Sequence, residues 1–273
     1  MSATNTESNV FTINDFKTRK KNGIPISMIT CYDYAFARIL EQTEIDVILV
    51  GDSLGNVFAG YTTTIPFTID QMIYHAAIVR CGAPSKLVII DMPFMSYHIS
   101  AEDSLRNAGR MMKETGVDMV KLEGGREFKA VVKALTDASI PVMGHLGLTP
   151  QSIHKIGGYS VQGREDQQRK RIIEDAMILE DAGACSIVLE KVPLSLAKEI
   201  SEKLSIPTIG IGAGEFCDGQ VLVINDLLGI DKGFNPKFVK KYADLYTVSQ
   251  NAFESYDREV KERSFPSTEY SYK

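Results

Sequence analysis

The 273-residue chain is poor in cysteine, in clustered basic charge, in long apolar runs and in linker sequence. Its four cysteines, at 31, 81, 185 and 217, form no C-x-x-C pair and show no histidine spacing of a zinc site. Free thiols in a reducing compartment, most of them small core residues, are the expectation. No run of about 18 apolar residues occurs, so no membrane-spanning helix is expected, and Met1 to Asn9 is polar, without the apolar stretch of a secretory signal. A cytoplasmic location follows as the expectation. The formal net charge is −5, and the nearest thing to a basic cluster, Lys17-Thr-Arg-Lys-Lys21, is short. Nucleic acid and anionic membrane are therefore poor partners.

What is present is an ordinary globular composition, 44% hydrophobic and 24% charged, arranged in short apolar runs. Five of them end on a charged or imidazole side chain: Val47–Val50 running on to Asp52, Leu87–Asp91, Met119–Glu123, Val142–His145 and Ser186–Glu190. A parallel strand covered on both faces reads as such a near-continuous run, so a charge at its carboxyl end points into a site or pairs there. Ile26–Thr30, Pro207–Ile211 and Val221–Asn225 bring the strand count to eight.

Helical periodicity falls between most of these runs, over 34–42, 69–81, 101–115, 126–138, 166–182 and 194–204. Ser100 opens one helix as a cap, and Gly116 and Gly183 close two. Strands alternating with helices predict βαβ units, and eight of them with no Pro/Gly/Ser-rich divider predict one (β/α)8 barrel. Its expected extent is 13–258, after a polar segment 1–12 and before a polar tail 259–273. The short stretch between strands seven and eight requires an abbreviated crossover. Pro236–Tyr246 reads as the last barrel helix, continued by Asn251–Arg258, and the tail from Lys261 reads as flexible or partner-bound.

In such a barrel the strand ends converge on one mouth, which would gather Asp52, Asp91, Glu123, His145 and Glu190. Lys121 and Glu123 are two apart on one strand and share a face. A single strand-end acid more often caps a helix or pairs with a neighbour, but four at strand ends argue for a site. Clustered carboxylates repel unless a cation compensates, and oxygen ligands of this kind suit a hard divalent ion such as Mg²⁺. Glu190 closes an otherwise wholly apolar run, where desolvation of its carboxylate suits a general base acting on carbon; a rim salt bridge to Lys191 is the alternative. Lys121 could hold a substrate carboxylate, form a Schiff base or neutralise its neighbours; adjacent acids favour the first and last. His145 is placed to donate a hydrogen bond near the site, with a structural imidazole as the alternative. His75, His98 and His154 take the structural reading. Ile209–Gly214 lacks the pattern of a nucleotide loop, and Gly124-Gly125 reads as a turn.

Seven blocks in order resemble the ketopantoate hydroxymethyltransferase family: Val50–Gly55, Asp91–Phe94, Met119–Gly125, Gly144–Ser152, Gly157–Gly163, Val188–Glu190 and Ile209–Gly214. The resemblance runs from about Ile13 to Tyr246. It implies a barrel of the phosphoenolpyruvate/pyruvate type with Mg²⁺ on Asp52, Asp91 and Glu123. It further implies a 2-oxo acid held by Asp52, Ser53, Asp91 and Lys121, and Glu190 as catalytic base. The implied reaction carries a one-carbon unit from 5,10-methylenetetrahydrofolate to C3 of 3-methyl-2-oxobutanoate, giving 2-dehydropantoate for pantothenate synthesis. The implied assembly is a homodecamer. The competing enzyme reading is a Mg²⁺-dependent 2-oxo acid lyase or mutase of the same barrel type, against which stands the absence of a Lys-Lys-Cys-Gly-like segment. A binding barrel without activity predicts a missing ligand or base, and none of the five residues is missing.

Overall fold

The computed structural model describes residues 10–233 and 235–273, so Met1–Asn9 of the expected polar segment and Phe234 lie outside the described residues. All eight strands form: β1 (Ile26–Thr30), β2 (Val47–Val50), β3 (Leu87–Asp91), β4 (Met119–Glu123), β5 (Val142–Gly147), β6 (Ser186–Glu190), β7 (Thr208–Ile211) and β8 (Gly219–Leu222). Each pairs parallel with the next, and β8 closes on β1, giving the expected (β/α)8 barrel.

The two-residue period of a strand explains how one run serves two layers. Val88 and Ile90 of β3, out of phase with its barrel-core residues, are completely buried, while Leu87 and Ile89 join Met119, Met143, Val188 and Ile209 in the core inside the barrel. Continuing the same inward phase one step further reaches Asp91 on β3, Lys121 and then Glu123 on β4, His145 on β5 and Glu190 on β6. The register sets Asp91 opposite Lys121 and Glu123 opposite His145. An apolar lower barrel therefore gives way to a charged upper layer.

A helix over Ile13–Asn22, absent from the expected helices, seals the lower end. Its Phe16 is 1% exposed, belongs to the barrel core and meets Phe11 edge-on at 5.1 Å between ring centres. The Thr12 capping box starts this helix and Gly23 at φ 65° ends it. The crossover between β7 and β8 carries no helix, as its length required; Asp218 ties it down by accepting from the Thr208 amide and Lys20 Nζ, both at 2.8 Å.

Two expectations need correction near the carboxyl end. β8 begins at Gly219 rather than Val221, and Ile224–Leu227 is a short helix. Gln220, whose amide donates outward to the Gly214 carbonyl, interrupts the apolar run and hides the start of the strand. The chain contacts divide after Val223, and Ile224–Lys273 forms a second compact unit. Within it, 236–244 is not helical. Tyr242 and Leu245 donate their amides to the carbonyls of Leu227 and Leu228, laying this segment back along the short helix. The helix starts only at Leu245 and runs to Lys261, because the Asp244 side chain accepts from the Thr247 amide and acts as N-cap. In the tail, the Phe265 ring packs against Tyr256 and Tyr270, each at 5.7 Å.

Truncating Phe16 leaves a void at the closed end of the barrel. Phe16→Ala is expected to cost roughly 3–5 kcal/mol of unfolding free energy. Urea unfolding monitored by circular dichroism checks this, and a loss below about 1 kcal/mol would show that the helix is not part of the core.

Candidate active site

Five of the predicted residues lie on four consecutive strands, from the middle of β4 to the strands' carboxyl ends, and Asp52 and Ser53 follow β2 after Gly51. Asp52, Asp91, Lys121, Glu123 and His145 are each 4% exposed or less. Glu190 keeps 15% of its side chain exposed, so its surroundings are less dry than its apolar run led one to expect. It is the last residue of β6, still in register with Gly147 on β5 and Ile211 on β7.

The contacts form a chain across the mouth. Lys121 Nζ pairs with Asp91 Oδ1 at 3.0 Å, and Asp91 Oδ2 accepts from the Asp52 amide at 3.0 Å. His145 bridges the two glutamates, with Nδ1 3.4 Å from Glu123 Oε1 and Nε2 3.3 Å from Glu190 Oε2. Its Nδ1 also lies 3.2 Å from Lys121 Nζ. Gly147 permits this closeness of β5 and β6: its φ is 94°, and a Cβ there would run into the Glu190 carbonyl. Ser53 Oγ lies 2.8 Å from the Tyr32 hydroxyl, beside Asp52. All the residues expected at the mouth are thus brought together, and His145 joins them as a bridging group.

Sequence reasoning missed Gln151 and Tyr97. Gln151 sits on a single turn over Pro150–Ser152 after β5 and is buried; it contacts Asp52 and Glu123 through its side-chain and backbone nitrogens respectively. Tyr97, 1% exposed, accepts from the Glu123 amide at 3.2 Å and donates to Gln151 Oε1 at 2.8 Å. The one signal in the sequence was position, since both residues follow soon after a strand end. His98 packs on Tyr97 at 4.1 Å between ring centres and accepts from the Met95 amide. His75 is structural, with Nδ1 2.7 Å from the Tyr32 carbonyl. Cys81 is exposed, against the expectation of a core thiol, and all four cysteines are free.

Electrostatics follow from this burial. Desolvation, reinforced by the charges of Glu123 and Asp91, pushes Asp52 up to about 8 against the opposing pull of Lys121 and Gln151. Desolvation also raises Asp91, with Lys121 opposing. For Glu123 burial is outweighed by His145, Lys121 and the Gln151 amide, and its pKa falls. Burial and the Lys121 ammonium depress His145, but Glu123 and Glu190 outweigh them and hold it up at about 9.

With every group charged, Asp52, Asp91, Glu123 and Glu190 against Lys121 and His145 leave an excess of two negative charges, that of one divalent cation. Asp91 Oδ1 is buried with no well-formed hydrogen bond, although Lys121 neutralises it in part. Hard carboxylate oxygens and an under-satisfied Asp91 fit Mg²⁺, which takes one or two protein carboxylates and completes its shell with water and substrate oxygens. Among the described residues no three His, Cys, Asp or Glu side chains form a ready cage. Both oxygens of Glu123 and both of Asp91 already face protein donors, so any metal at this mouth would share these carboxylates with the chain's own groups.

His145 is expected to be an imidazolium at pH 7.5 while His98, whose pKa burial lowers, is neutral with its proton on Nε2. Nitrogen-15 NMR of the histidine rings in metal-free protein distinguishes them. A folded-state pKa raised to about 9 contributes stability that is complete below about 6.5 and is lost as pH rises through 9, so His145→Gln should flatten the stability profile in that window. A neutral His145 at pH 7 would contradict this.

The ketopantoate hydroxymethyltransferase family model matches residues 10–268. The chain is 56% identical over 257 residues to the 3-methyl-2-oxobutanoate hydroxymethyltransferase of Chlorobaculum tepidum, covering 93% of each chain. It is 51% identical over 258 residues to that of Leptospira interrogans, covering 94% of this chain and 97% of the relative. Among solved structures, a phosphonopyruvate hydrolase complex with oxalate and Mg²⁺ superimposes with TM-score 0.61 at 11% identity, covering 95% and 93% of the two chains. A phosphoenolpyruvate phosphomutase from Streptomyces platensis superimposes with TM-score 0.61 at 14% identity, covering 92% and 88%. At that identity these two share the fold alone, whereas the family match spans nearly the whole chain with all of the predicted site residues inside it: the chain belongs to the ketopantoate hydroxymethyltransferase family.

Proposed function

We propose that the protein transfers a one-carbon unit from 5,10-methylenetetrahydrofolate to C3 of 3-methyl-2-oxobutanoate, yielding 2-dehydropantoate and tetrahydrofolate in the route to pantothenate. The observation that carries this reading is one buried mouth holding a metal-suited acid pair, a lysine and, through His145, a more exposed glutamate. Asp52 and Asp91 would hold Mg²⁺ with Glu123 in support. When bound, Mg²⁺ supplies Lewis acidity at the 2-oxo oxygen and so makes the C3 proton removable.

The chain's own groups do the rest. Lys121, kept protonated by Asp91, Glu123 and Asp52, pairs with the substrate carboxylate, and Asp52-Ser53 lines its oxygens. Glu190 takes the C3 proton, and the released electron pair forms the C2–C3 double bond of the enolate. His145 Nε2, 3.3 Å from Glu190 Oε2 without a well-formed hydrogen bond, would hold that oxygen as an ion pair when protonated, and the other Glu190 oxygen would receive the proton. C3 then bonds to the folate-borne methylene; water supplies the hydroxyl, and tetrahydrofolate departs. A homodecamer and a cytoplasmic location belong to the same reading; among the described residues no helix is long and apolar enough to cross a membrane.

Proton NMR in D₂O separates the half-reactions. With 3-methyl-2-oxobutanoate and Mg²⁺ the C3 proton signal is expected to disappear without folate, and EDTA should stop the loss. Removing the base through Glu190→Gln should slow exchange by roughly 10²- to 10⁴-fold while leaving the fold intact. Exchange at the wild-type rate in this variant would assign the base elsewhere, and no exchange by metal-loaded wild type would overturn the proposed chemistry.

A further inference from the structure

Asp52 lies beyond the last residue of β2, so the sheet does not hold its side chain. What does hold it comes from 99 residues further along the chain. Gln151 Nε2 donates to Asp52 Oδ2 at 2.9 Å and to the Met92 carbonyl at 3.0 Å, using both amide hydrogens. Its Oε1 accepts from the Tyr97 hydroxyl at 2.8 Å, and its backbone amide donates to Glu123 Oε2 at 2.9 Å. Turning the amide over would set its oxygen against a carboxylate and a carbonyl, so these partners select one orientation. The residue is buried, and Pro150 at the start of its turn restricts the backbone that carries it.

We infer that Gln151 is a positioning residue: by donating to Asp52 Oδ2 and gripping Glu123 through its backbone, it fixes the orientation of the Asp52 carboxylate and so sets divalent-cation affinity. The role rests on the proposed metal reading of Asp52 and Asp91. It requires an amide of this length. Methionine has nearly the same shape but donates nothing, and asparagine is one methylene short of Asp52.

Binding of Mn²⁺ alone, followed by electron paramagnetic resonance of the free ion, tests this without turnover. Loss of a group that orients a metal ligand typically weakens binding by roughly 10- to 100-fold, and Gln151→Met is expected in that range, with Gln151→Asn shifted in the same direction should the first variant unfold. Asp52→Asn serves as reference. Wild-type affinity in folded Gln151→Met, alongside loss in Asp52→Asn, would overturn the positioning role and leave the metal site standing. Wild-type affinity in Asp52→Asn, or no binding by the wild type, would overturn the metal reading and the Gln151 role with it. A lowered melting temperature with unchanged Mn²⁺ affinity marks a packing role and counts against the inference.

Discussion

The contact between the Lys121 ammonium and the Asp91 carboxylate, buried at 3.0 Å, is the one on which the upper barrel depends. Burying a charge alone is costly, and burying several of one sign is worse. Lys121 is the permanent cation among three desolvated acids, and its own pKa is raised by Asp91, Glu123 and Asp52 despite burial. Each neighbour then finds a partner through it or beside it: Asp91 directly, Asp52 through its amide to Asp91, and Glu123 through His145. Replacing Lys121 by an apolar residue would leave those acids without that cation. With every group ionised the layer would carry an excess of two negative charges, and burial with like-charge repulsion relieves it by raising Asp52 and Asp91.

The division of labour between the acids follows from how each is held. Glu123 meets the Gln151 amide and His145 with its two oxygens and is driven toward its ionised form. Asp52 is driven the other way, to about 8, by burial first and then by the charges of Glu123 and Asp91. Glu190, the last residue of β6, is the most exposed acid of the set and the one that His145 connects to the buried ones. A fixed acid, a tunable acid and an accessible acid in one mouth are what a metal-assisted proton abstraction at carbon needs.

Much of this was legible in the sequence because a strand's two-residue period carries straight from the core into the site. Leu87, Ile89 and Asp91 are one inward row, as are Met119, Lys121 and Glu123, so the apolar lower layer points to the polar upper one. What was not legible depends on contacts far apart in sequence. Gln151 and Tyr97 look like ordinary loop residues until β3, β4 and β5 are set side by side. The sealing helix with Phe16 carries one fully buried apolar residue on a polar background, too little periodicity to announce it. At the other end the apolar residues of 236–246 invited a helix, and the decisive signal was Asp244 as a cap inside that stretch. Local caps and single interrupting residues such as Gln220 govern element boundaries, whereas periodicity governs their existence.

The proposed function requires a divalent cation at this mouth beside Lys121, held by Asp52 and Asp91. Anomalous diffraction at the manganese edge, from crystals grown with Mn²⁺ and 3-methyl-2-oxobutanoate, tests it most directly. A single strong peak in contact with carboxylate oxygens of Asp52 and Asp91 is expected, with the oxo acid's carboxylate reaching Lys121. A peak elsewhere in the molecule, or an oxo acid bound at this mouth with no metal beside it, would contradict the proposed function.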